Sequence, residues 1–197
     1  RFHYMHNIIN VKSIKPVKCN FVFSASPGDY TKIQKYLEKK AGLLHVDKDL
    51  SSIPKLYYYE IDGEIKGVIG IGNVIDPIKV VFDGYSWKYR VLSVLSKLSV
   101  KYQLPDLHKP LVFSMATLPY ADDPEVMRQL VMFACSDLQT CGLADYLLLG
   151  TLVGSDYQKS LNSIMSFTLP VSVFYLQRAM PNQPLKPPPL LDEWLYT

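Results

Sequence analysis

The apolar positions of this chain change rhythm over residues 111–150, and the change predicts a strand, a helix and a second strand. Leu111 to Leu118 is a nearly unbroken apolar run, the pattern of a strand buried on both faces. Val126, Leu130, Phe133, Ala134, Leu138 and Cys141 then recur at helical spacing, with Asp137 as one polar break in the stripe. Asp123 is placed to cap that helix, Pro124 suits its first position, Glu125 favours its positive end, and Gly142 is a natural stop. Asp145 to Gly150 reads as a second buried strand. Two such strands joined by one helix predict a parallel crossover. In such a unit a ligand sits at the carboxyl ends of the strands near the helix N-terminus, here Ala116 to Glu125.

The flanking sequence adds strands and helices around this unit. Tyr4 to Ile14 is a strand-like run ending at Pro16, and Asn20 to Ala25 alternates as a strand. Ser26-Pro27-Gly28-Asp29 starts a helix, with Ser26 as cap and Asp29 in the capping-box position. That helix runs to about Ala41, with Ile33, Tyr36 and Leu37 on its apolar face and Lys32, Lys35, Lys39 and Lys40 on its solvated side. A short helix is expected at Lys48 to Ile53. Lys55 to Ile61 and Glu64 to Gly72 read as a hairpin turned by Asp62-Gly63. Gly67, Gly70 and Gly72 alternate with Val and Ile inside the returning strand. They therefore read as close packing or a bulge rather than a phosphate loop.

Ile78 to Phe82 predicts a further strand and Ser86 to Tyr102 a helix. Trp87, Val91, Val94, Leu95, Leu98 and Tyr102 form the stripe of that helix, and Arg90, Lys97 and Lys101 share another face. Ser155 caps an expected helix from Asp156 to Met165. Val171 to Ala179 is expected as the last strand, after Pro170. Residues 181–197 are proline-rich, with Pro187 to Pro189 favouring polyproline form.

Composition narrows the class. The chain has 197 residues, 48% of them hydrophobic, enough for a packed core. A net charge of +3 is too mild to point to nucleic acid. Three cysteines, Cys19, Cys135 and Cys141, make no disulfide framework. The last two lie about 9 Å apart along one helix. This usage suits a reducing compartment, and the expected location is cytoplasmic. No run reaches the roughly 18 apolar residues that span a bilayer. His3 and His6 could share a helical face, but no third ligand is near them, so no metal is expected. The chain opens on Arg1 rather than Met, as the C-terminal part of a longer protein or a trimmed chain would.

This order of elements resembles the GNAT fold of the Gcn5-related N-acetyltransferase superfamily over about residues 20–178. The resemblance rests on the opening strand with Ser26-Pro27-Gly28-Asp29, the hairpin Tyr59 to Val68, the strand 111–118, the helix 124–141 with Gly142, and the strand 145–150. It looks most like the C-terminal half of tandem GNAT-like bacterial proteins. It implies an α/β fold with a mixed central sheet of about six to seven strands flanked by helices. Residues 1–18 would be a connector or leading strand, 19–180 the GNAT-like domain and 181–197 a tail. It implies acetyl-CoA or another acyl-CoA as cosubstrate, a small-molecule or amine acceptor, and a second GNAT-like half or a second copy as partner.

The resemblance also implies site residues. The backbone of Met115, Ala116, Thr117 and Leu118 would flank the pantetheine arm, and Arg90 would help hold the cofactor. Glu60 and Tyr157 would be the general base and acid. The family's R/Q-x-x-G-x-G/A pyrophosphate loop is replaced here by Leu118-Pro119-Tyr120-Ala121-Asp122-Asp123-Pro124. That stretch has no glycine, and two carboxylates oppose an anion. The expectation is a domain degenerate in cofactor binding that shapes the substrate side or supports a catalytic half. The alternatives are an active acyltransferase with an atypical pyrophosphate site and a non-catalytic interaction module.

Overall fold

The computed structural model describes residues 2–17, 19–41, 49–73, 81, 83–84, 86–87, 107–152, 155–161, 164 and 166–173. Its strands are β1 Phe2–Asn10, β2 Val22–Ser24, β3 Lys55–Ile61, β4 Glu64–Asn73, β5 Phe113–Ala121, β6 Tyr146–Leu152 and β7 Ser166–Val173. They form one sheet in the order β2-β3-β4-β5-β6-β1-β7. β5 and β6 are parallel, and the other neighbouring pairs are antiparallel. The helices are α1 Tyr30–Ala41, α2 Pro124–Cys141 and α3 Asp156–Leu161.

Alternation along the strands divides the core between the two faces of the sheet. α1 and the turn Leu50–Ser52 cover Leu56, Tyr58, Val68 and Leu118. α2 covers Tyr57, Tyr59, Ile69 and Leu147 on the other face. Leu130, Leu138, Ile69 and Leu147 lose essentially all solvent contact, worth about 1.5–3 kcal/mol each. Local signals set the boundaries. Asp62 and Gly63 have φ of 50° and 80°, as a two-residue turn with both central residues left-handed requires. Gly142 ends α2 at φ 61°, ψ 28°, where a side chain would be strained.

The N-terminal strand is an internal strand of the sheet. β1 lies between β6 and β7, with Asn7 opposite both Leu149 and Thr168. Asn7 is fully buried, and its Nδ2 donates to the Leu149 carbonyl at 3.1 Å and Thr151 Oγ1 at 2.9 Å. The strand stops at Asn10, short of Ile14, because Asn10 caps a 3-10 turn and accepts from Lys12 N at 3.0 Å. His3 and His6 fall within β1 rather than a helix.

Two further expectations shift. β7 begins at Ser166 and contains Pro170, opposite Met5. It is the last strand of the sheet, where a missing N–H is tolerated. The expected continuation to Ala179 lies outside the described residues, as do the proline-rich tail and nearly all of residues 74–106. The helix expected at Asp156 to Met165 is described only to Leu161.

At Gly67 the side chains of α2 close onto the backbone of β4. A Cβ there would lie 2.7 Å from Val126 Cγ1 and 2.8 Å from Leu130 Cδ1. Gly67→Val is expected to lower stability by about 1–3 kcal/mol through overpacking. A thermal melt should show a fall of several degrees; an unchanged midpoint would mean that α2 is not seated on this strand.

Candidate functional site

At the carboxyl end of the central strands, where the sequence places a ligand site, β5 and β6 part. The two pair only at Phe113–Tyr146, Ser114–Leu147 and Met115–Leu148. Beyond Met115, β5 continues against β4 and β6 continues against β1. A bulge against β4 follows a few residues later. Thr117 faces Gly70 and Tyr120 faces Val68, so Leu118 and Pro119 together oppose Ile69 alone. Leu118 takes a left-handed φ of 49°, a strain of about 1–3 kcal/mol. It is held there by burial of its side chain in the α1-side core. Pro119 falls in the unpaired stretch, where its missing N–H breaks no ladder bond with β4.

This changes the reading of the segment Leu118 to Pro124. The apolar run predicts a strand ending at Leu118, with a loop after it. β5 instead runs to Ala121 and α2 begins at Pro124. Only Asp122 and Asp123 join strand to helix.

Both carboxylates are engaged with the chain itself. Asp123 Oδ1 accepts from Glu125 N at 2.9 Å and Val126 N at 3.0 Å. It fills the helix N-terminus, the place an anionic ligand would take. Asp122 Oδ1 accepts from the Tyr36 hydroxyl at 2.9 Å and pairs with Lys40 Nζ at 2.9 Å. Its backbone N–H donates to the Lys66 carbonyl at 2.7 Å. Burial alone would raise the Asp122 carboxyl, but Lys40 and Tyr36 outweigh it and hold it below its usual range. Burial and the Asp122 carboxylate push the Tyr36 phenol strongly up. Tyr36 and Lys40 read in sequence only as parts of α1's apolar and solvated faces. Their role depends on Asp122, 86 residues beyond Tyr36.

The expected catalytic residues lie in separate contact networks. Tyr157, on α3, donates to the Ala121 carbonyl at 2.7 Å. The helix that follows β6 thus reaches back to the end of β5 and bridges the parting. Burial raises the Tyr157 phenol; Lys40 opposes this, and Asp122 and Asp123 add to it. Glu60, on β3, pairs with Lys32 of α1 at 2.6 Å. Of the expected cofactor residues, Met115, Ala116, Thr117 and Leu118 lie on β5, where Met115 is still paired with β6. Thr117 Oγ1 is buried without a protein partner and packs against Gly70. Arg90, Lys97 and Lys101 lie outside the described residues, while Trp87 is 72% exposed. Among the described residues no cluster of His, Cys, Asp and Glu is placed to hold a metal, and no helix is long and apolar enough to cross a membrane.

No protein-family model matches the chain, and no curated protein does so at a significant level. Among solved structures it is similar to a Novosphingobium aromaticivorans DSM 12444 protein assigned to the GNAT family of acetyltransferases. The TM-score is 0.51 at 9% identity, over 86% of this chain and 63% of that one. A conserved protein of unknown function from Staphylococcus epidermidis ATCC 12228 aligns over 86% of this chain and 60% of its own at 8% identity. Its TM-score of 0.45 is too low to add to the comparison. At such identities the likeness establishes the fold, a GNAT-like mixed sheet flanked by helices, and the chain spans 63% of the length of the first of these proteins.

Asp122→Asn tests the electrostatics of the junction. A carboxylate held low in the folded state contributes stability above its unfolded pKa of about 4 and loses it as pH falls through the folded value. The variant should be about 1 kcal/mol less stable than the parent at neutral pH. The gap should close below about pH 4. Melts across this range check it, and a gap independent of pH would remove the assigned role of Asp122.

Proposed function

We propose that this chain is a GNAT-like domain of an acyl-CoA-dependent N-acetyltransferase that has lost its own grip on the cofactor's pyrophosphate. In this reading it shapes the acceptor side or supports a catalytic half. The observation that carries it is the strand-to-helix junction. Two residues connect β5 to α2, Pro124 offers no N–H, and the Asp123 carboxylate occupies the N–H groups of Glu125 and Val126. A phosphate would have to displace that carboxylate and approach Asp122 as well. Like charges brought together and desolvated cost several kcal/mol.

A second reading is supported by the retained parting of β5 and β6 and the left-handed Leu118. It is an active acyltransferase that binds the acyl and pantetheine portion along Met115 to Leu118 and grips the phosphates elsewhere, with Arg90 contributing. Glu60 would then act as base, directly or through a water, once freed from Lys32. Tyr157 would protonate the leaving thiolate after releasing the Ala121 carbonyl.

Titration with acetyl-CoA and free CoA, followed by thermal melting, separates the two. The degenerate domain is expected to show no shift at millimolar ligand. Binding at a hundredfold excess over Kd would add about 2.7 kcal/mol and raise the midpoint by several degrees. A shift of that size would overturn the first reading in favour of the second.

A further inference from the structure

The end of α2 remote from the cleft carries a polar cluster that the GNAT-like reading does not use. Asp137 interrupts the buried stripe of α2 in its last turns, about 20 Å along the axis from Asp123. Its partners come from β3. Lys55 and Tyr57 are two residues apart on a strand and so share a face. Lys55 Nζ pairs with Asp137 Oδ2, and the Tyr57 hydroxyl donates to the same oxygen at 2.7 Å. One turn further on is Cys141, whose Sγ lies 3.2 Å from Lys55 Nζ. Cys141 is exposed.

We propose that Lys55 and Cys141 form an oxidant-dependent covalent bridge, an S–N bond made after peroxide oxidises Cys141. In the first step Sγ attacks a peroxide oxygen and the O–O bond breaks. The thiol proton leaves with the departing oxygen as water. Sulfur is oxidised by two electrons to the sulfenic acid, and the peroxide is reduced. In the second step the Lys55 ammonium gives a proton to the adjoining Asp137 carboxylate, which passes it to solvent. The free amine attacks Sγ and the S–O bond breaks. The leaving hydroxide takes a second proton from the nitrogen and departs as water. The product is a sulfenamide joining the first residue of β3 to the last residue of α2. A thiol reductant reverses it by attack on sulfur, returning the amine and, after a second thiol, free Cys141.

The other cysteines show why the reaction selects this site. Cys135 is wholly buried, and burial pushes its thiol up to about 12, so it is shielded and little ionised. Cys19 is partly buried and donates to Gln129 Oε1 at 3.2 Å, a carbonyl oxygen that cannot attack as an amine. Cys141 combines exposure with an amine already in contact with its sulfur.

Peptide mapping by mass spectrometry after hydrogen peroxide treatment of the purified chain is the test. The expected product is a Lys55 peptide joined to a Cys141 peptide, its mass the sum of the two less two hydrogens. Tryptic cleavage after Lys55 should be lost, and dithiothreitol should restore both peptides. Lys55→Arg keeps a cation beside Asp137 but no primary amine, and should give oxidised Cys141 with no joined peptide. Sulfenic or sulfinic Cys141 in the parent chain without a joined peptide would overturn the proposal. A joined pair carrying an added oxygen would overturn the S–N bond. The parent measurement stands alone should the variant fold poorly.

Discussion

The amino end of α2 makes an electrostatic demand, and this chain answers it with its own carboxylate. The first N–H groups of a helix lack internal partners and carry the positive end of its dipole. In a fold that parts two parallel strands directly in front of that end, the unmet donors become a natural anion site. Here Asp123 takes the Glu125 and Val126 N–H groups from inside the chain. Asp122 beside it would then leave two carboxylates together. Lys40 and Tyr36, one turn apart on α1, hold the Asp122 carboxylate. The junction's carboxylates are thus held by the chain's own donors, and α1, β4, β5 and α2 are all tied to it.

The same junction fixes how far β5 can run. A strand that reached its loop at Leu118 would leave room for a wide turn carrying several N–H groups. The bulge at Leu118 and Pro119 absorbs one extra residue and returns Tyr120 to register with Val68. The strand then continues three residues past Leu118, and the connection shrinks to two aspartates. Strain at Leu118, the missing N–H at Pro119 and the short connection are therefore one feature. The bulge keeps the parting between the central strands, while the extension removes the loop in front of it.

These facts show which parts of the molecule could be read from the chain alone. The hairpin at Asp62-Gly63, the span of α2 and its Gly142 stop, and the parallel pairing around them follow from local chemistry, and each residue speaks for itself. Asp123 was legible as a cap for the same reason. The extent of β5 was hidden because Pro119 signals a break, and only the bulge it forms with Leu118 against β4 makes it harmless. Tyr36 and Asp137 were hidden differently. Each is a polar group on an apolar stripe whose partner lies about 80 residues or more away in sequence, and no periodicity within one helix reports that. The N-terminal strand's place inside the sheet was equally silent, since β1 pairs with the two last strands.

That placement bears on what holds the domain together. Across the parting, the sheet consists of β2 to β5 on one side and β6, β1 and β7 on the other, joined by three parallel residue pairs. So narrow a seam cannot carry the fold by its ladder alone, and α2 supplies the rest. Its buried side chains share one core with Tyr57 and Ile69 from the first group and Ile9, Leu147 and Leu149 from the second. The carboxyl end of α2 is fastened to the first group by Asp137, which pairs with Lys55 of β3, and its amino end follows β5 directly through Asp122, which Lys40 and Tyr36 of α1 hold. Its middle packs on Gly67, where the absence of a side chain lets Val126 and Leu130 close onto the strand. The helix therefore acts as a splint across a sheet that is open where a ligand cleft would be. Any change at one end of α2 bears on how firmly the two groups of strands are held.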